Sequence, residues 1–163
     1  IAKLLEDENY EFSMYGFGEL KQDLKNKINE MNLSNITVND ELKGSLEVKE
    51  ILKSSDLLVS PCKRASDGDM DGIPTIIFEA MGYGTPVLTT NVSSIPEIIN
   101  DGVNGFIVEA NNKEAFKNKI NEIMSMDDKE LLKIRKKAQE DVVNLSGVDK
   151  TMKIVTDTWK NIK

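Results

Sequence analysis

Two acidic residues, Asp71 and Glu79, are separated by seven residues in the stretch Asp-Gly-Ile-Pro-Thr-Ile-Ile-Phe-Glu. Pro74 is expected to open a helix there and Gly84 to end it, because proline suits a first helical turn and glycine a helix end. The helix is apolar almost all round, so it should be buried, and Glu79 must then be paired, hydrogen-bonded or open to a cleft. We expect Glu79 to accept hydrogen bonds from paired hydroxyls, as a ribose would supply. The alternative is a structural glutamate that caps backbone groups.

The loop of residues 61–72, which leads into this helix, is polar and glycine-rich. It should bring the backbone N–H groups of Gly72, Ile73 and Thr75 near the helix N-terminus, where a partial positive charge suits an anionic or polyhydroxylated ligand. Residues 66–72 superficially resemble a calcium loop, but the glutamate at the twelfth position and the flanking helix pair are missing. Lys63 and Arg64 lie in the same loop, and no motif assigns them a role.

A second glycine-bearing turn, Gly16-Phe17-Gly18, stands between a predicted strand and a predicted helix. Two glycines let the backbone approach a ligand closely before the helix starts, and the helix N-terminus suits phosphate. The turn is not a full dinucleotide-binding fingerprint, because Lys21 stands where that motif has glycine or alanine. A tight strand-to-helix turn without a ligand is the alternative.

The amino-acid composition excludes several classes of function. The 163 residues include no histidine, which removes Ser-His-Asp and Cys-His catalysis from this chain and makes a zinc site implausible. The net charge of −7 argues against nucleic acid as the main partner. The single cysteine, Cys62, is expected to be a half-buried loop residue, and the basic run of residues 133–137 the solvated face of a helix. No apolar run is long enough to span a bilayer, and no signal-peptide pattern is present.

Hydrophobic periodicity predicts strands that alternate with helices. Strands are expected at 11–15, 35–39, 56–60, 86–90 and 105–108, and helices at 1–8, 19–31, 46–53, 74–83, 95–100, 113–125, 127–144 and 148–161. This order predicts an α/β fold with a doubly wound, Rossmann-like parallel sheet, in one domain over residues 1–163. Ligands of such sheets bind at the carboxyl ends of the strands, so the loops that begin near Gly16, Asn39, Ser60, Thr90 and Val108 are the first to inspect. The chain starts as if inside a helix, and we expect it to be a fragment whose sixth strand lies upstream.

Several ordered motifs together resemble the signature of the group 1 (family 4) glycosyltransferases. The signature has two acidic residues separated by seven, then Ala-Met, then Gly-x-Pro-Val, and here it runs from Asp71 to Val87. Residues 89–99 and 101–106 resemble its usual continuation, and the strand of residues 54–61 and the upstream Gly-x-Gly also agree. The loop of residues 66–74 is similar to that of members that build bacterial cell-surface polysaccharides.

The resemblance implies the C-terminal, donor-binding lobe of a two-lobed retaining enzyme of the GT-B type. Glu79 would hold the ribose hydroxyls, and Asp71, one methylene shorter than the usual glutamate, would stand near the donor sugar. The sugar and diphosphate would be lined by Gly72, Ile73, Pro74 and Thr75. Gly16, Phe17 and Gly18 would border the phosphates, and the segment from Val38 to Leu46 would approach the base. The family's diphosphate-binding Arg and Lys belong to a motif upstream of Ile1.

The implied ligand is a UDP-sugar or GDP-sugar, with neither a metal nor another cofactor. The acceptor would bind an N-terminal domain that this chain lacks, so the fragment alone should transfer nothing. The whole enzyme would be cytoplasmic, with a possible peripheral site at the inner face of the membrane. Two alternatives remain open: a nucleotide-sugar-binding module without catalysis, and a related GT-B epimerase or phosphorylase. The cofactor-lysine signature expected of a phosphorylase is not apparent.

Overall fold

The computed structural model of the chain describes residues 1–16, 18–39, 44–64 and 72–146. After a short 3-10 helix (Ala2–Leu5) the elements are β1 (Phe12–Tyr15), α1 (Lys21–Glu30), β2 (Ile36–Asn39), α2 (Ser45–Ser54), β3 (Leu58–Ser60), α3 (Thr75–Tyr83), β4 (Val87–Thr90), α4 (Ile95–Ile98), β5 (Phe106–Val108), α5 (Lys113–Met124) and α6 (Asp128–Ser146). The predicted strands all form, and the predicted helices from α1 to α6 form with bounds that differ by no more than two residues. The helix predicted at 148–161 lies outside the described residues.

The helix predicted over residues 1–8 is wrong. Only Ala2–Leu5 is helical, and it is a 3-10 turn. The Asn35 side-chain amide donates to the carbonyls of Ala2 at 3.0 Å and Leu5 at 3.4 Å. An α-helix over this segment would use the Ala2 carbonyl for its own i→i+4 bond, so a residue distant in sequence competes with the helical ladder there. The Leu5 carbonyl would lie in the last turn, where an α-helix leaves carbonyls without an intrahelical partner.

The chain forms two compact units, Ile1–Glu50 and Ile51–Lys163, and each is described by itself. In the first unit, β1 and β2 pair in parallel, with Tyr15 opposite Asn39 at their carboxyl ends. The connecting helix α1 has no fully buried residue. Its apolar residues Leu24 and Ile28 are half-buried, and Leu20 and Met31 at its two ends are exposed.

In the second unit, β4 pairs in parallel with β3 on one side and β5 on the other. All four residues of β4 are buried. Successive side chains of a strand point to opposite faces, so this part of the sheet is covered on both faces, as doubly wound folds require. Helix α3 packs against β3 and β4, and α5 packs against β5.

Helix α6 packs along α3 and is anchored by polar contacts. Gln139 donates to the carbonyl of Gly82 at 3.2 Å, and Arg135 donates to that of Gly84, so two side chains of α6 satisfy carbonyls at the end of α3. The basic residues of the run 133–137 are exposed, as predicted, with only Ile134 buried among them.

Candidate functional site

Helix α3 has sharp boundaries that the sequence explains. Pro74 is its N-cap residue, with φ −57° and ψ 128°, and Gly84 ends it in the left-handed region at φ 77°. The Gly84 N–H bonds to the Met81 carbonyl at 3.1 Å and the Thr85 N–H to the Ala80 carbonyl at 2.9 Å. This pair of bonds is a Schellman motif, which closes the helix because glycine adopts positive φ without a Cβ clash.

Glu79 lies on the exposed side of this helix. The buried residues Ile77, Ala80 and Met81 fall at the i, i+3, i+4 spacing of one face, and Glu79 lies off that face. The expectation that the whole helix is buried is therefore wrong, because Thr75, Glu79 and Tyr83 are exposed. No residue in the described ranges is hydrogen-bonded or ion-paired to the Glu79 carboxylate. A capping role for this side chain has no support there, and its oxygens are open to a ligand.

The first turn of α3 also has unused hydrogen-bonding capacity. Pro74 supplies no side-chain cap, so the N–H groups of Thr75 and Ile76 have no intrahelical partner. Gly72 is exposed, and a Cβ placed on it would meet no atom within 4 Å. Ile73 and Pro74 are half-buried. The first turn of α3, which precedes Glu79 along the same helix, therefore presents backbone N–H groups without an intrahelical partner. Asp71 lies outside the described residues.

Gly16 and Val38, two of the predicted site residues of the first unit, lie near the carboxyl end of the β1–β2 ladder. Gly16 follows β1 directly, and Val38 is half-buried in β2 opposite Met14. Gly16 and Gly18 are exposed, and a Cβ on either would meet no atom within 4 Å. Leu46 is 78% exposed in the first turn of α2. Phe17 lies outside the described residues.

The second unit contains a pocket of about 310 Å³ at the carboxyl ends of β3, β4 and β5. It is lined by Arg64, Asn91, Val92, Ser93, Glu109 and Ala110. The sequence indicated the loops after Ser60, Thr90 and Val108 as places to inspect, but it gave no role to these side chains. No local motif could have done so, because the lining is assembled from segments that follow three different strands.

Two buried threonines next to this pocket in sequence connect β4 to the segment that follows β3. Thr89 Oγ1 donates to the Ser60 carbonyl at 2.9 Å, and Thr90 Oγ1 donates to the Cys62 carbonyl. These bonds tie the chain that leaves β3 to β4. Cys62 is a free, half-buried cysteine, as predicted. Asn91 Oδ1 accepts from the Ala110 N–H at 2.9 Å, so it connects the segment after β4 to the segment after β5.

The described ranges offer neither a metal cluster nor a membrane-spanning helix. No group of three or more histidine, cysteine, aspartate or glutamate side chains is placed to hold a metal among those residues. No helix in the same ranges combines the length and the apolar character needed to cross a membrane.

The fold and the open helix turn define a Rossmann-like α/β lobe of the GT-B type, as the sequence predicted. The profile of the family Glycosyl transferases group 1 matches residues 1–141, and the chain belongs to that family. Its resemblance to group 1 glycosyltransferases is thereby confirmed.

Individual proteins agree with this assignment. The putative colanic acid biosynthesis glycosyltransferase WcaL of Escherichia coli K12 is 32% identical over 133 residues, 82% of this chain and 33% of that protein. The amylovoran biosynthesis glycosyltransferase AmsK of Erwinia amylovora is 34% identical over 106 residues, 65% of this chain and 26% of that protein. The chain therefore spans about a third or less of the length of these relatives.

Solved structures show the same fold. A glycosyltransferase of Rickettsia africae superposes with a TM-score of 0.80 and 23% identity, covering 98% of this chain and 42% of that one. HepE of Anabaena, solved in complex with UDP-glucose, superposes with a TM-score of 0.74 and 21% identity, covering 91% of this chain and 40% of that one.

Proposed function

We propose that this chain is the donor-binding lobe of a retaining glycosyltransferase that transfers a sugar from a nucleotide diphosphate to a growing cell-surface polysaccharide or glycolipid. The single observation that carries the proposal is the placement of Glu79, unpartnered among the described residues on the exposed side of α3, behind an open N-terminal turn. The names of WcaL and AmsK support the polysaccharide product. The UDP-glucose complex of HepE supports the donor class.

The groups of α3 suit two parts of such a donor. An ionised carboxylate accepts two hydrogen bonds, which matches the adjacent hydroxyls of a ribose. The free N–H groups at Thr75 and Ile76 and the positive end of the helix dipole suit a diphosphate, whose charge grows as the glycosidic bond breaks. In this proposal Glu79 anchors the nucleoside, and the helix N-terminus stabilises the leaving group.

The remaining predicted residues complete the proposal. Asp71 contacts the donor sugar, Gly16, Phe17 and Gly18 border the phosphates, and the segment from Val38 to Leu46 approaches the base. The acceptor binds a domain outside this chain, so the isolated 163 residues bind donor weakly and transfer no sugar. We place the full-length enzyme in the cytoplasm, at or near the inner face of the membrane.

Calorimetric titration and a transfer assay on the full-length protein test this function. UDP, GDP, UDP-glucose, UDP-galactose and GDP-mannose serve as probes, and NMR identifies the anomer of any product. We expect one nucleotide sugar to bind and its sugar to move with retention. Donor binding without transfer to any acceptor would favour the non-catalytic binding module, and no binding of any nucleotide would defeat the proposal.

The substitution Glu79→Gln tests the residue that carries the proposal. It keeps the size of the side chain but removes the charge, so donor affinity should fall by about 1–3 kcal/mol, as for a lost hydrogen bond to a charged group. The matched control is Glu114→Gln, which alters an exposed carboxylate in the first turn of α5. Unchanged donor affinity together with a lower melting temperature for Glu79→Gln would show that Glu79 is structural.

A further inference from the structure

The loop between α4 and β5 contains the dipeptide Asn104-Gly105, which is the only Asn-Gly pair in the 163 residues. An asparagine followed by glycine is chemically labile, because glycine has no side chain to hinder its backbone nitrogen as that nitrogen approaches the asparagine carboxamide. In an open chain the nitrogen attacks Cγ of the asparagine, and the side-chain amide is lost. The surrounding fold therefore decides whether Asn104 is stable.

The structure restrains the Asn104 carboxamide. The residue is 2% exposed. Its Nδ2 group donates to the Ile98 carbonyl and to Asp141 Oδ2, and all the bonds of this side chain measure 2.8 to 3.0 Å. Its Oδ1 accepts from the Asn100 N–H. Attack by the Gly105 nitrogen would make Cγ tetrahedral and expel Nδ2, so it would break these bonds and leave buried polar groups without partners.

The backbone at Gly105 is restrained as well. A Cβ at this position would lie 3.0 Å from Ile99 Cγ2 and 3.5 Å from the Val87 carbonyl oxygen, so only glycine fits without a shift of its neighbours. The Gly105 carbonyl also accepts from the Gly102 N–H at 2.9 Å. Packing thus requires glycine at position 105, and the bond to α6 requires an amide at position 104. Together these two requirements place the labile pair at this point of the chain.

We propose that Asn104 is a site of spontaneous deamidation, which the native fold suppresses and which reacts when the loop of residues 100–104 separates from α6. The Gly105 nitrogen bonds to Asn104 Cγ, and the Cγ–Nδ2 bond breaks. Nδ2 leaves as ammonia, and the proton that the Gly105 nitrogen loses balances the one that ammonia gains. Water then opens the succinimide ring at either carbonyl and leaves aspartate or isoaspartate at position 104.

Neither product can restore the link to α6. Aspartate places an acceptor against the Asp141 carboxylate and the Ile98 carbonyl, where the amide had donated to both. Isoaspartate adds a carbon to the backbone next to Gly105, where the packing has no room for a shift. Because deamidation is slow, its rate follows the population of the open form, so the modification records how often this anchor opens.

Peptide mapping of the full-length protein tests the proposal. The protein is incubated in mildly alkaline buffer, with and without a denaturing concentration of guanidinium chloride. Cleavage after Glu97 and Glu109 releases residues 98–109, in which Asn100 is an internal reference because it does not precede glycine. Mass spectrometry follows the conversion of each amide to an acid. In the denatured chain Asn104 should react well before Asn100, and in the native protein Asn104 should react at least about 100-fold more slowly.

Two variants show whether the bond to α6 gives the protection. Asp141→Ala removes one acceptor of the Asn104 amide, and Glu140→Ala alters the neighbouring exposed carboxylate. Asp141→Ala should speed deamidation of native Asn104 about tenfold, as for a lost hydrogen bond to a charged group, and Glu140→Ala should leave it within about twofold of wild type.

Wild type in enough guanidinium chloride to match the melting temperature of Asp141→Ala separates opening of the anchor from global unfolding. It should deamidate more slowly than the variant, and equal rates would show that only global unfolding exposes Asn104. The proposal is also overturned if Asn104 reacts no faster than Asn100 in the denatured chain, or if the native and denatured proteins react within about twofold of each other. Equal rates in Asp141→Ala and Glu140→Ala would remove the role of the α6 bond.

Discussion

The roles of Glu79 and Gly84 follow from their own atoms: the carboxylate of Glu79 and the missing Cβ of Gly84. Glu79 combines ligand chemistry with an exposed position, and Gly84 makes the turn that ends the same helix. The sequence predicted both positions, because a Pro-to-Gly interval of helical length fixes where α3 begins and ends. It left open whether Glu79 would be paired, hydrogen-bonded or open to a cleft, because it predicted a helix buried all round, whereas Ile76 and Phe78 are only half-buried.

Gly84 gives a prediction with an internal control. A Cβ at Gly84 would lie 3.1 Å from Gln139 Nε2 on a backbone with φ 77°, so Gly84→Ala should lower the unfolding free energy by about 1–2 kcal/mol. Gly82, two residues earlier, lies within the helix with its nearest contact at 3.9 Å. Gly82→Ala should therefore be neutral or stabilising by up to about 1 kcal/mol. Urea denaturation measures both, and equal effects of the two substitutions would contradict the argument.

Helix α6 is hydrogen-bonded to the end of α3 and to the loop after α4. Asn104 is 2% exposed, and its amide donates to the Ile98 carbonyl at 3.0 Å and to Asp141 Oδ2 at 2.9 Å. Its Oδ1 accepts from the Asn100 N–H at 2.8 Å. One buried side chain therefore links the loop of residues 100–104 to α6, a role that no sequence spacing indicated because Asn104 and Asp141 are 37 residues apart.

Removal of this link should be costly. Asn104→Ala leaves several buried polar groups without partners, so we expect a loss of about 2–4 kcal/mol in the free energy of unfolding. Chemical denaturation provides the measurement, with the exposed Asn144→Ala on α6 as the control. A loss below about 0.5 kcal/mol, the usual scale of surface substitutions, would show that water replaces these bonds.

The same anchor predicts a pH dependence. The hydrogen bond from Lys137, at 2.7 Å, holds the pKa of Asp141 below its ordinary value, with a further contribution from Asn104. A lowered folded-state pKa means that the ionised carboxylate stabilises the fold above its unfolded-state pKa, and that this stability is lost as the pH falls through the folded-state pKa. The difference in melting temperature between wild type and Asp141→Asn should thus be full near neutral pH and shrink below about pH 4. A difference for Asp141→Asn that stays constant down to about pH 2 would refute the assignment.

At the scale of the whole molecule, the sequence predicted the parallel α/β fold and its family, because periodicity and turn residues act locally. The structure adds that the strands form two hydrogen-bonded ladders, β1–β2 and β3–β4–β5. It also shows the pocket from Arg64 to Ala110, which depends on the parallel register of three strands. No local sequence motif marks such a site, since its residues become neighbours only when the sheet forms.

The chain's charge leads to a prediction about metal ions. With a net charge of −7, the domain as a whole does not attract an anionic diphosphate, so the attraction must be local. In the proposed mechanism the N-terminal turn of α3, with the family's upstream basic residues, supplies this local attraction for the diphosphate without a cation.

Donor affinity and transfer rate of the full-length enzyme should therefore stay within about twofold of their starting values after EDTA treatment and after addition of Mg²⁺ or Ca²⁺. Calorimetry measures the affinity, and the transfer assay measures the rate. The test is informative because the loop of residues 66–72 contains three aspartates, whose carboxylates could bind a cation. A tenfold loss on chelation that Ca²⁺ alone restores would show that a cation, and not the helix turn with basic residues alone, is needed for the enzyme to bind the diphosphate.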